Sequence, residues 1–227
     1  ITSTKSAFTS VAGTVEIEPD ELVLDTTNQL LASGIVRGAT LRLAQDKPLL
    51  DAFDIPSEHF PDVVFASPDF WPAHNTNGSR NVVVTNNIDI LPAGQALVTF
   101  LDVCGPGLLG VVPRHVMSRH ASVAFNGFRP CGDRQVPYTD IQSFADLMSG
   151  AKAIVSSKLH PGIFGMAYGA VFLSYGGRPK TKAQLEELGL ESHILSARRM
   201  PRWVSRLRSG SAIHESALAA APRLRAA

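Results

Sequence analysis

The chain has 227 residues, 44% of them hydrophobic and 18% charged, with a net charge of +1. It is long enough for one large or two small packed domains, too apolar to be disordered, and too near neutral to bind nucleic acid through bulk charge. Its two cysteines, Cys104 and Cys131, are too few and too far apart for a zinc cluster or a disulfide framework, so a reduced, cytoplasmic setting is expected. No signal peptide or long apolar run is visible, and no membrane span is expected.

In chain order, residues 1–20 carry only a loose alternation and a turn at Glu18-Pro19-Asp20. Residues 20–32 predict a helix capped by Asp20. Residues 35–43 read as a strand interrupted by Gly38, and 46–53 as a short helix with Pro48 in its first turn. Residues 60–66 read as a strand entered through Pro61-Asp62. The Pro/Asn/Gly/Ser-rich stretch 67–80 carries the linker between two domains. The expected division is 1–72, linker 73–80, a second domain 81–197, and a tail 198–227. The tail holds Arg198, Arg199, Arg202, Arg206, Arg208, Arg223 and Arg225 against a single acid, Glu215. It reads as a solvated terminal helix or as a basic, partner-facing segment offering peripheral membrane contact.

In the second domain, residues 82–84 read as a buried strand ending at Thr85-Asn86-Asn87, 94–103 as a helix, 108–112 as a strand and 115–120 as a polar turn. Residues 121–125 read as another short strand. Residues 140–149 predict an amphipathic helix with Asp140 at its cap and Ile141, Phe144, Leu147 and Met148 on one face. Thr181 to Gln184 fits a capping box for a helix that ends at Gly189. Alternating strands and helices predict an α/β fold, a parallel sheet with helices on both faces.

The organising stretch is residues 151–175. Ala153-Ile154-Val155 is a strand, Ser156 and Ser157 suit an N-cap, Pro161 stands at the helix start, Gly169 stops the helix, and Val171-Phe172-Leu173 opens the next strand. Ligands bind at such carboxyl ends of strands. Lys158 and His160 place a fixed cation and a titratable imidazole beside free helix N–H groups, a combination suited to an oxyanion. Taken alone, a histidine near a helix start is more often structural. Ser156 and Ser157 either cap the helix or touch the ligand, and both readings stand together. Tyr175 and Lys180 fall at the next strand's carboxyl end, where Lys180 is either a second phosphate contact or a solvated loop lysine. Arg114, His115, Arg119 and His120 read as surface; the two histidines have no carboxylate partner or ligand spacing in view, so no metal is expected.

Ser157-Lys158-Leu159-His160-Pro161-Gly162-Ile163-Phe164, then Leu173-Ser174-Tyr175, Lys180-Thr181 and Leu185-Glu186-Glu187-Leu188-Gly189-Leu190, resemble the C-terminal signature of the polysaccharide pyruvyl transferases. Lys158 stands where that pattern has arginine, and Pro161 precedes Gly162. Lysine keeps the charge without the bidentate fork. More weakly, Arg42, Phe53-Asp54-Ile55 and Pro61-Asp62-Val63-Val64-Phe65 are similar to the end of that family's N-terminal domain. The resemblance implies a GT-B-like pair of Rossmann-type domains, the first truncated. It implies transfer of a pyruvyl group from phosphoenolpyruvate to a glycan or lipid-linked sugar of a cell-surface or exopolysaccharide, with no further cofactor. On this reading His160 and Lys158 are catalytic, and Ser156, Ser157, Lys180, Tyr175 and Asn86 bind the donor. Asn86 and Asn87 stand where the family often has arginine. The rivals are a GT-B glycosyltransferase using a nucleotide sugar and a non-catalytic remnant that binds anions or a partner.

Overall fold

A computed structural model describes residues 28–59, 62–74, 80–88, 92–116, 135–136, 140–176 and 179–196. The expectations for residues 1–27, the strand at 121–125, Cys131 and the basic tail lie outside them. The chain forms two compact units divided between Asp62 and Val63. That division precedes the boundary expected at residue 72, because residues 63–74 are tied to the second unit. Trp71 and Pro72 offer their carbonyls to Tyr168 Oη at 2.6 Å and Gln142 Nε2 at 2.9 Å, and the His74 amide donates to Asp146 Oδ1 at 2.9 Å. Of the strand expected over 60–66, Val63–Ala66 instead closes into a 3-10 turn, followed by the short helix Ser67–Phe70, and residues 60–61 lie outside the described residues. The turn buries Phe65 in the core of the second unit.

The first unit holds two parallel strands, β1 (Ala39–Leu41) and β2 (Ser57–His59), joined through α1 (Lys47–Asp51), which carries Pro48 in its first turn as expected. The strand predicted over 35–43 shrinks to its last part. Residues 28–32 are helical, within the helix predicted over 20–32. Asp54 adopts φ 53°, a left-handed turn that sends the chain from α1 toward β2. Leu31, Leu50 and Ile55 form a small core, and Arg42 Nη1 pairs with the buried Asp62 carboxylate at 3.0 Å.

The second unit is a six-stranded sheet in the order β5-β4-β3-β6-β7-β8, parallel throughout. Its elements are β3 (Val82–Asn86), α3 (Pro92–Cys104), β4 (Val112–Val116), β5 (Gln135–Val136), α4 (Ile141–Ser149), β6 (Ala151–Ser156), α5 (Leu159–Ala167), β7 (Val171–Tyr175), α6 (Pro179–Glu187) and β8 (Ile194–Leu195), with α2 being Ser67–Phe70. Both faces are covered. Val84, Ile154 and Phe172 pack with α4, α5 and α6 through Met148, Ile163 and Leu185. Val83, Val155 and Leu173 pack with α3 through Leu97, Val98 and Leu101. This alternation is why the strands read as continuous apolar runs.

Local expectations were met where one residue controls the geometry. Asp140 caps α4, accepting from the Ser143 amide at 2.8 Å and its hydroxyl at 2.7 Å. Gly169 ends α5 with φ 85°. Two expectations shift. The apolar run 108–112 splits at Gly110, whose φ of 62° ends a π-helical extension of α3 over Gly105–Leu109, so the strand starts at Val112 and takes in His115. The helix α6 begins at Pro179, two residues before the expected capping box, because proline loses nothing at a first helical position. Thr181 and Gln184 are then interior and buried rather than capping.

In the core, α5 and β7 approach each other closely at Gly162. A Cβ on Gly162 would lie 2.2 Å from the Phe172 ring, which is fully buried. Overpacking of this kind costs about 1–3 kcal/mol. Gly162→Ala should therefore lower the urea-unfolding free energy by about that amount, and adding Phe172→Leu should recover part of the loss. Strictly additive losses in the double variant would show that the two positions do not meet.

The fully buried His193 donates from Nδ1 to the Phe172 carbonyl at 2.9 Å. Burial pushes its imidazole below the usual value, opposed in part by that bond. The folded state thus takes up a proton less readily than the unfolded chain. Stability from this group is complete above about pH 6.5 and falls as the pH drops below it. His193→Gln should flatten the slope of unfolding free energy between about pH 5 and pH 7, read from urea melts. Equal slopes in parent and variant would contradict the assignment.

Candidate functional site

The strand order places β3 and β6 side by side, while the chain leaves β3 toward β4 and leaves β6 toward β7. This reversal is the topological switch point, and the crevice outside the carboxyl ends of those strands is where doubly wound sheets bind ligands. β3 ends at Asn86 and β6 at Ser156, and these two residues are register partners. Ser156 is in turn the register partner of Ser174 on β7. The three form a polar row at or next to the carboxyl ends of largely apolar strands.

Asn86 and Ser156 of that row are held by neighbouring polar groups. Ser156 Oγ, fully buried, accepts from the Lys158 amide at 3.0 Å and lies 3.5 Å from Asn86 Oδ1. The Asn87 side-chain amide also donates to Asn86 Oδ1. Ser157 Oγ donates to the Asn87 carbonyl at 2.7 Å, linking the two strand ends directly. The serines therefore do not sit at the N-cap as expected. Lys158 occupies that position with extended φ −108° and ψ 145°, and its side chain makes no capping hydrogen bond. Pro161 is the third helical residue, still inside the first turn, whose N–H groups lack intrahelical partners. The hydroxyls of Ser156 and Ser157 build the turn that aims the start of α5, a role that sequence patterning assigned to capping.

Lys158 and His160 are both exposed, at the first turn of α5 beyond the carboxyl end of β6. The structure thus brings Lys158, His160, Ser156, Ser157 and Asn86 together at one edge. Lys180 stands in the first turn of α6, which follows β7. Tyr175 departs from expectation. Its ring packs in the α3-side core with Leu173 and Leu195, 5% exposed, and burial pushes its phenol above the usual range. The adjacent Ser174, which sequence reasoning placed only in a strand ending, is the residue of that pair facing the polar row. Its hydroxyl is buried with no hydrogen-bond partner among the described residues. The register with Ser156 is the signal that finds it, and register is a tertiary fact.

His115 also corrects the sequence reading. Expected in a surface turn without a carboxylate partner, it lies inside β4, 1% exposed, with Nδ1 2.8 Å from Thr85 Oγ1 and Nε2 3.0 Å from Asp102 Oδ1. The shift of the strand past Gly110 is the cause. Among the described residues no cluster of three or more His, Cys, Asp or Glu is placed to hold a metal ion, and no helix is long and apolar enough to cross a membrane.

Asn87 adopts φ 54°, a left-handed backbone that L residues with a Cβ enter at a cost of about 1–2 kcal/mol and that asparagine tolerates. Asn87→Ala should lower stability by about 1 kcal/mol while Asn87→Gly stays near the parent, both read from urea melts. The reverse order would rule out backbone conformation as the reason for asparagine here.

No family model matches the chain, and no curated protein matches it in sequence. Solved structures do match. UGT2 of Phytolacca americana, complexed with UDP-2fluoro-glucose and pterostilbene, superposes with a TM-score of 0.54 at 12% identity, over 91% of this chain and 52% of that one. The glycosyltransferase SnogD from Streptomyces nogalater superposes with a TM-score of 0.46 at 16% identity, over 85% of this chain and 64% of that one. The chain spans about half the length of the first and under two-thirds of the second. What is shared at such identities is the fold: parallel α/β sheets similar to those of GT-B glycosyltransferases.

Proposed function

We propose that this chain carries the donor-binding part of a GT-B-like transferase that moves a group from a phosphorylated donor to a sugar hydroxyl, with phosphoenolpyruvate as the donor. The observation that carries the reading is the pair Lys158 and His160, both exposed at the start of α5 at the switch point. The first-turn N–H groups that α5 leaves without intrahelical partners, the helix dipole and a lysine ammonium all favour a phosphate at that spot. The imidazole two residues on is placed to handle a proton beside it. The string from Ser157 to Leu190 that resembles the pyruvyl transferases supports the three-carbon donor in particular.

The chemistry divides accordingly. The methylene carbon of phosphoenolpyruvate gains a proton, leaving C2 electron-poor. Two sugar hydroxyl oxygens bond to C2 as its bond to the phosphate oxygen breaks. Of the two hydroxyl protons released, one replaces the proton placed on carbon and one leaves with the phosphate. His160 supplies and recovers the first proton. Lys158 offsets charge on the departing phosphate as a point charge, worth most where water is excluded.

A second reading has its own observation. The fold likeness to a structure solved with UDP-2fluoro-glucose favours a nucleotide sugar whose diphosphate would occupy the same helix N-terminus.

Calorimetric titration and thermal melts of the chain with phosphoenolpyruvate and, separately, UDP-glucose decide between the two. On the leading reading phosphoenolpyruvate at about a hundredfold its Kd stabilises by about 2.7 kcal/mol, and UDP-glucose does not. Lys158→Ala should weaken that binding about tenfold or more, a loss of about 1.4 kcal/mol. His160→Ala should leave binding largely intact and abolish turnover. Stabilisation by UDP-glucose alone would establish the second reading, and no response to either would leave a non-catalytic remnant.

A further inference from the structure

The proposed reaction makes no use of the buried chain Thr85–His115–Asp102. The three residues come from β3, β4 and α3 and are 3%, 1% and, for the Asp102 side chain, 8% exposed. Their surroundings are the apolar α3-side core of Leu97, Val98 and Leu101. An imidazole and a carboxylate in such a place are unfavourable unless paired, and apolar residues of similar volume often serve stability as well. Stability therefore does not by itself account for them.

Their position suggests what does. Thr85 immediately precedes the Asn86-Asn87 corner, where the backbone turns left-handed. The Asn87 carbonyl accepts the Ser157 hydroxyl at 2.7 Å, and Ser157 adjoins Lys158. A continuous series of short contacts thus runs from the Asp102 carboxylate through the His115 ring to the Thr85 hydroxyl, along the β3 backbone, and across to the start of α5. Threonine is stiff at χ1, so a bond to its hydroxyl also fixes the backbone that carries it. We propose that His115, anchored by Asp102, is a positioning residue: through Thr85 it fixes the end of β3 and thereby the placement of Ser157 and Lys158. It touches no substrate. Only the affinity part of its test rests on the reading of Lys158 as a donor contact.

The test compares the parent chain with Thr85→Val, which removes the hydroxyl at nearly constant volume, and with Thr85→Ser, which restores it. Amide hydrogen exchange is followed at residues 86–88 and 156–158, with α4 as an internal control, alongside phosphoenolpyruvate titration. Thr85→Val should exchange about fivefold to tenfold faster at both segments, the equivalent of one hydrogen bond, leave α4 unchanged, and weaken phosphoenolpyruvate binding by a similar factor. Thr85→Ser should reverse both effects. Parent-like exchange at the two segments, or acceleration spread equally over α4, overturns the proposal. A parent chain that does not bind phosphoenolpyruvate refutes the donor reading while the exchange comparison still decides this one. Should Thr85→Val fail to fold, Asp102→Asn, which keeps the side chain's shape, carries the same comparison with the same two outcomes.

Discussion

Two neighbouring parallel strands, β3 and β6, end level with each other, and the chain leaves them for opposite sides of the sheet. Backbone departing in two directions opens a crevice there, and among the described residues no other pair of strands in this sheet has one. Polar side chains in a row at that edge, Asn86, Ser156 and Ser174, would be unfavourable in the middle of the sheet, where both faces are apolar. At the edge most of them find partners in one another or in the turn. The Ser157 hydroxyl on the Asn87 carbonyl fastens the two strand ends, so the start of α5 inherits the rigidity of the sheet.

That rigidity matters for chemistry because a charge aimed in advance at an anion needs no rearrangement when the anion arrives. Lys158 and His160 lie on a helix whose packing leaves it little freedom. Gly162 sits against the Phe172 ring so closely that the smallest side chain would collide, which locks the depth of α5 over β7. Gly169, with its left-handed backbone, ends the helix under the Arg80 side chain, whose Nη1 donates to its carbonyl at 2.7 Å. The placement of Lys158 and His160 is thus set from below by close packing and from the side by hydrogen bonds between strand ends. The buried His115 pair extends that support to the other face of the sheet.

The parts of the fold that were legible in the sequence share a cause. Asp140 before an amphipathic run, Gly169 after an apolar helix and Pro48 near a helix start each act through backbone chemistry within a turn or two. Continuous apolar strands announce a sheet buried on both sides. The misreadings share a cause as well. LLGVV reads as one strand because its residues are all apolar, yet Gly110 divides it between the end of a helix and the start of β4. Residues 63–66, part of a run that looks like a strand, form a turn from which Phe65 packs into the core. Tyr175 reads as a rim residue, and nothing in the sequence singles out the adjacent Ser174. One step of strand alternation decides which of the two faces α3, and composition does not encode it.

By itself the sequence determined that this is an alternating α/β chain with a cation and an imidazole at one strand-to-helix turn, because those features depend on neighbours a few residues apart. Only the tertiary structure decided that this turn lies beside the end of β3, that Asn86, Ser156 and Ser174 align, and that His115 is buried against a carboxylate rather than exposed. The reason is that strand order and register join residues about 30 to 70 positions apart, and hydrogen bonds between backbones carry no imprint of side-chain identity that a linear reading could recover.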